Sequence, residues 1–229
     1  MLCLYVQAPF AVFRTFSAGS FRPTADFITP SAAYGLLLNI AGIEMREYSD
    51  QHVMTLIRQE QNLPSFRLAL GAITFPRKHS VYQQLHNYPV GSSGIAHAWR
   101  AKGNKYNITP VRRSFLSDIR AYICISGNQD FEGQVVDGLE RKTNRAYGLP
   151  FLGDNNFLPD RIESVEKWEA AHWYIPILQD TDHGLYKRIT RMTIQIDRAD
   201  LSRTKTALFA PTNEATREIP DEAWVEVGY

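Results

Sequence analysis

The sequence predicts an α+β protein, a ferredoxin-like βαββαβ domain over residues 1–160 with a long β-hairpin inserted at about 77–117. A C-terminal β-rich extension, residues 161–229, is expected to pack on the same domain. Three observations lead there. Apolar runs with strand-like alternation recur at the start of the chain and near residues 66–75, 119–126, 173–178 and 189–196. Helix signals fall between the first and second strands and after the third, which gives the order strand, helix, strand, arm, strand, helix, strand. Between the second and third strands lies a window from Gln61 to Ser117, 57 residues long, that contains no Asp or Glu.

Met1 to Phe10 sets Leu2, Leu4 and Val6 against Cys3, Tyr5 and Gln7 and reads as a strand. A polar loop, Arg14 to Phe27, leads to Thr29-Pro30-Ser31, where a capping hydroxyl precedes a proline at the first helical position. Ala32 to Ile40 supplies helix formers, and Gly42 stands where a C-terminal cap belongs. Asp50 to Asn62 is expected as a second helix, with Val53, Leu56 and Ile57 on one face, ending before Pro64. Phe66 to Phe75 and Ile119 to Ser126 read as strands. The stretch between them reads as an irregular hairpin that turns at Gly91-Ser92-Ser93-Gly94. An amphipathic helix from Phe131 through Glu140 to Arg145 has a basic end. A Gly-, Pro- and Asn-rich loop, Tyr147 to Pro159, follows, and the strands Trp173 to Leu178 and Ile189 to Ile196 close the chain.

No run of about 18 apolar residues occurs, so no spanning helix is expected. The apolar start lacks a basic leader and a small-residue cleavage pattern, and is read as a buried strand instead of a signal. Cys3 and Cys124 have no Cys or His partner at ligand spacing and are read as reduced core residues of a cytosolic protein. No phosphate-loop lysine motif is present, which argues against nucleotide hydrolysis, and no cofactor or metal is implied.

The formal net charge is +1, yet the acid-free window holds Arg67, Arg77, Lys78, Arg100, Lys102, Lys105, Arg112 and Arg113. The residues before it sum to −1 and those after it to −6, so charge is segregated along the chain. Phe75, Tyr82, Tyr88, Trp99, Tyr106 and Phe115 are interleaved with the cations. Cations pair with phosphates and flat rings stack on unpaired bases, so the window fits an arm that contacts RNA or single-stranded DNA. The other reading is a long surface loop that happens to lack acids.

Other clusters leave alternatives open. Arg14, Thr15, Ser17, Ser20, Arg22, Thr24 and Thr29 gather donors near a helix N-terminus, suited either to phosphate or to ordinary capping. Asp180-Thr181-Asp182-His183-Gly184 could hold a metal or form a polar turn. His79, His86 and His97, with Tyr82 or Lys78, could cut RNA by metal-free acid–base chemistry or simply contact it. The aromatic signature of the common RNA-recognition module is absent from Ile119 to Ser126, so stacking on the open sheet is not expected.

Four stretches carry a resemblance: the first-residue strand with Ala8-Pro9-Phe10; Phe27-Ile28-Thr29-Pro30-Ser31-Ala32-Ala33-Tyr34-Gly35-Leu36-Leu37; Thr109-Pro110-Val111-Arg112-Arg113-Ser114-Phe115-Leu116; and Tyr147-Gly148-Leu149-Pro150-Phe151-Leu152-Gly153. As an ordered set they resemble CRISPR-associated family five, the handle-binding subunit of type I Cascade complexes within the RAMP superfamily. The resemblance spans roughly residues 1–160. It implies a cytoplasmic, prokaryotic, non-catalytic subunit of an antiviral ribonucleoprotein that binds the 5′ handle of the guide RNA (crRNA). Such a subunit caps the filament of backbone subunits and docks the large subunit that inspects target DNA. The expected RNA contacts are Arg14, Arg22, Ser31, Tyr34, Arg77, Lys78, Tyr82, Trp99, Arg100, Lys102, Lys105, Arg112, Arg113 and Arg145. One branch of the family processes guide RNA itself, so a metal-independent endoribonuclease is the alternative.

Overall fold

The structure is a computed structural model, and it describes residues 1–15, 21–44, 46–47, 56–57, 63–89, 106–145, 148–177, 186–197 and 200–228. It is an α+β fold, mostly antiparallel sheet with two helices. The strands are β1 (Leu2–Ala11), β2 (Phe21–Arg22), β3 (Arg46–Glu47), β4 (Leu56–Ile57), β5 (Phe66–Thr74), β6 (Arg77–Pro89), β7 (Tyr106–Ser126), β8 (Arg161–Ser164), β9 (His172–Ile177), β10 (Thr190–Gln195), β11 (Lys205–Pro211) and β12 (Val225–Val227). The helices are α1 (Pro30–Ala41) and α2 (Gln129–Leu139).

The main sheet runs β10-β11-β9-β5-β7-β1-β8 in space, with β12 pairing β5 and both β2 and β6 pairing β7. β1 lies antiparallel to β7 and to β8, and β5 antiparallel to β7. One face carries the helices: Leu4, Val6, Ile123 and Ile125 share a buried cluster with Leu37, Ile40, Phe131 and Val135. The opposite face is covered by Trp173, fully buried with Tyr122 and Ala69, and by the half-buried Trp168 and Trp224. α1 starts and stops as its sequence dictates. Thr29 accepts a hydrogen bond from the Ala32 amide, and Gly42, with φ of 77°, donates to the Asn39 carbonyl in a left-handed cap. α2 crosses α1 at Gly138, where a Cβ would lie 1.9 Å from the Ile40 carbonyl oxygen.

Several expectations are corrected. The strand that follows α2 beside β1 is Arg161–Ser164, not the Trp173–Leu178 segment, which as His172–Ile177 pairs with β5 and β11 on the far side of the sheet. β8 was hidden because Arg-Ile-Glu-Ser is a short polar edge strand. Leu56–Ile57, expected on a helix, form a small ladder with Arg46–Glu47; the rest of residues 50–62 lies outside the described residues. α2 ends at Leu139, not at Arg145, since Arg141 takes a left-handed φ of 61° that a continuing helix cannot accommodate. Finally, Cys3 and Cys124 form a disulfide. They are 121 residues apart in sequence but face each other across the β1–β7 ladder with Cα atoms 4.1 Å apart. That register is invisible to a reading of ligand spacing. No helix among the described residues is long and apolar enough to cross a membrane.

Candidate nucleic-acid interface

β7 is the scaffold of the site. Its 21 residues begin in the arm and end in the centre of the sheet, so the arm's base is anchored by the same strand that pairs with β1 and β5. The arm is the β6–β7 ladder, in register from Arg77 opposite Ser117 to Leu85 opposite Thr109, and shifted beyond to Tyr88 opposite Asn107. At the joint, Asp118 adopts a left-handed φ of 59°. Ile119 and Leu116, three positions apart, both face the helix-side core, as do their partners Ala8 and Ala11. A regular strand returns to a face every second residue, so this spacing of three shifts the phase of the alternation.

Adjacent strand residues point to opposite faces, and the shift decides which of the two neighbouring arginines takes which face. Arg112 is exposed and stands opposite Tyr82. Its Nε and Nη2 donate to the Ser80 hydroxyl at 3.3 and 3.2 Å, and its guanidinium lies 5.6 Å from the centroid of Phe21. Phe21 and Arg22 form β2, parallel to β7 with Phe21 opposite Arg112 and Arg22 opposite Arg113. Tyr82 is 77% exposed and Phe21 45%. The result is an exposed row of Tyr82, Arg112 and Phe21, rings flanking a planar cation whose Nε–Nη2 edge is pinned to Ser80, while the exposed Arg22, the next residue of β2, stands opposite Arg113. Sequence reading missed Phe21, since a single aromatic in a polar loop carries no periodic signal.

Arg113 is built differently. Its side chain is 16% exposed and paired with Asp154, whose side chain is 7% exposed; Arg14, 63% exposed, reaches the same carboxylate oxygen at 3.2 Å. Burial pushes the Asp154 carboxyl up, but hydrogen bonds from Arg113, the Asn156 amide and Arg14 outweigh it and hold the group below its ordinary value. Asp154 is delivered by the loop after α2. Gly153, with φ of 78°, would place a Cβ 1.6 Å from the Val12 carbonyl oxygen, and Val12 donates to Leu152 across the same contact. The Phe157 ring lies under Arg113 at 5.9 Å and joins Phe10 and Phe115 in an aromatic patch. His79 stacks on Phe115 at 5.3 Å and bonds to Ser117 at 2.7 Å.

Other expected contacts fall as follows. Arg77 is exposed at the arm's base, and Lys78 forms an ion pair with Asp26. Tyr34 is 2% exposed in the core, donates to the Pro64 carbonyl at 2.9 Å and stacks on Phe66. It points inward because it shares the buried face of α1 with Leu37 and Leu38. Ser31 contacts the Thr29 hydroxyl at 3.2 Å, and Thr24 is buried against the Phe13 amide, so Thr24 and Thr29 serve as turn bond and cap, while Ser17 and Ser20 lie outside the described residues. Arg145 is not with the arm but in a groove beside Ile40 and Leu139. Trp99, Arg100, Lys102 and Lys105, together with His97 and the Asp180–Gly184 segment, lie outside the described residues. Among the described residues no group of His, Cys, Asp and Glu could hold a metal.

The model of one family, described as CRISPR-associated protein (Cas_Cas5), matches residues 1–199. A solved chain from a "CRISPR RNA-guided surveillance complex" superposes with a TM-score of 0.58 at 12% identity, covering 96% of this chain and 91% of that one. A second, from a "Crystal structure of Cas protein", gives 0.48 at 15% identity, covering 97% and 96%. No curated protein sequence matches.

Proposed function

We propose, from the premise that this chain belongs to the CRISPR-associated protein (Cas_Cas5) family, that it is an RNA-binding subunit of an RNA-guided surveillance complex, gripping the 5′ handle of the guide RNA with its β6–β7 arm. The observation that carries this is the exposed row Tyr82, Arg112 and Phe21, built on an arm that lies in a segment with no acid from Gln61 to Ser117. Rings that stack any base beside a guanidinium that fits a phosphate are what single-stranded RNA requires. The fold supports the same reading. β1, α1, β5, β7, α2 and β8 follow the βαββαβ order, and β8-β1-β7-β5 is the corresponding order in the sheet, with the arm inserted between β5 and the inner part of β7. In this reading Arg112, Arg22 and Arg77 meet phosphates, Tyr82 and Phe21 stack, and Arg113 positions the strand. The same subunit caps the backbone filament and docks the large subunit next to target DNA.

A ribonuclease built from His79, Tyr82 and Lys78 is disfavoured by register. Lys78 and Tyr82 share one face of β6, while His79 lies on the other and is stacked on Phe115. The deciding experiment incubates the purified chain with labelled repeat RNA in EDTA. Retention without cleavage, weakened in Arg112→Ala and Tyr82→Ala, is the expected result. Site-specific cutting that is lost in His79→Ala replaces the binding reading with the enzymatic one.

A further inference from the structure

A second surface has a different chemistry. Between the C-terminal ends of α1 and α2 and the 148–162 loop runs a groove of about 240 Å³, whose apolar lining is Ile40, Leu139, Leu149, Pro150, Leu158 and Ile162. Leu149 is 65% exposed and Leu158 44%, large aliphatic side chains left uncovered on neighbouring parts of one loop. Arg141, Arg145 and Arg161 line the same groove against one acid, Asp160. The Nη1 of Arg145 is buried and has no hydrogen-bond partner among the described residues, a charged donor that wants an anion. The groove adjoins β8, the end strand of the sheet, which pairs only with β1 among the described residues.

We infer that this groove docks a segment of a protein partner that presents a leucine-sized side chain next to a carboxylate. The aliphatic residue fills the space between Leu149, Leu158 and Leu139, and the carboxylate answers Arg145 and Arg141. An RNA strand is the poorer occupant. Among the described residues the groove's lining holds no aromatic ring for a base to stack on, whereas the arm offers Tyr82 and Phe21. The inference rests on the reading that the chain works inside a multisubunit complex, but it concerns a surface separate from the arm.

The test uses the full chain, tagged and expressed in its host. Oxidative footprinting of the purified complex against the isolated chain should show a marked loss of labelling at Leu149 and Leu158, because a docked partner excludes water from central interface residues. Leu149→Asp and Leu158→Asp should strip a defined protein subunit from the complex, while the isolated variants melt as the parent does and bind labelled repeat RNA unchanged. Equal labelling in both states, or full subunit retention by the Asp variants, overturns the inference. So does a drop of about tenfold in RNA affinity for isolated Arg145→Ala with the leucine variants silent, which would make the groove a phosphate site. Loss of RNA binding by Arg112→Ala is read separately and bears only on the arm.

Discussion

Arg112 and Arg113 are adjacent, chemically identical and equally conspicuous in a sequence without acids, yet the structure gives them opposite tasks. Arg112 is exposed between two rings and donates to a serine hydroxyl. Arg113 is largely buried and closed onto Asp154, which ties the arm to the loop after α2. Local charge density therefore says that a segment is electropositive, and only register says which cations are offered to a ligand. A buried, paired guanidinium supports the architecture. An exposed, pinned one is available for recognition.

The contrast can be broken first at the loop that delivers Asp154. Gly153→Ala combines a left-handed backbone with a Cβ overlapping the Val12 carbonyl, and should cost at least about 3 kcal/mol in a denaturant melt. A smaller loss would mean that the loop can be released without harm to the arm's base. Next, Asp154→Ala leaves Arg113 largely buried without its anion, and should cost about 3 kcal/mol while RNA affinity under folded conditions stays near that of the parent. The acid limb sharpens this point. Because the folded Asp154 carboxyl lies below its ordinary value, the unfolded chain binds the extra proton, and the pairing stabilises fully above the ordinary carboxylate range. The stability gap between the parent and Asp154→Asn should narrow as pH falls below about 4. A gap that widens there contradicts the clamp.

On the other face, Tyr82→Ala should weaken RNA binding by about 1–3 kcal/mol with the melt unmoved, as befits a ring 77% exposed. Arg112→Ala should reduce the slope of log affinity against log salt by about 0.7, the share of one phosphate on a single strand. An unchanged slope would remove Arg112 from the interface. The smallest effect is expected for Lys78→Ala. Its pair with Asp26 is 46% exposed on both sides, and such pairs contribute roughly 0–1 kcal/mol.

What could be read from the sequence was what is determined locally. α1 was legible to the residue because Thr29, Pro30 and Gly42 act within a turn of the helix. The first strand and Phe66–Thr74 were legible because both faces of the sheet are covered there, which demands apolar runs of strand length. β8 was not, since an edge strand needs no apolar pattern, and neither was the Cys3–Cys124 pair, which exists only through the ladder. In the candidate site, the arm and its cations stood out by composition. The division between Arg112 and Arg113 did not, because it depends on Asp154, 41 residues further along, and on the phase of β7 at Asp118.

That phase has a consequence for how the arm can vary. Residues added or removed in pairs along both sides of the hairpin lengthen or shorten it without changing what each face displays. A single-residue insertion between Asp118 and Arg113 would turn this side of the arm inside out, presenting the clamp residue to the ligand and the ligand's residue to the clamp. The joint acts as a reading frame for the arm, and descendants of this chain are free to drift in length there only by even steps.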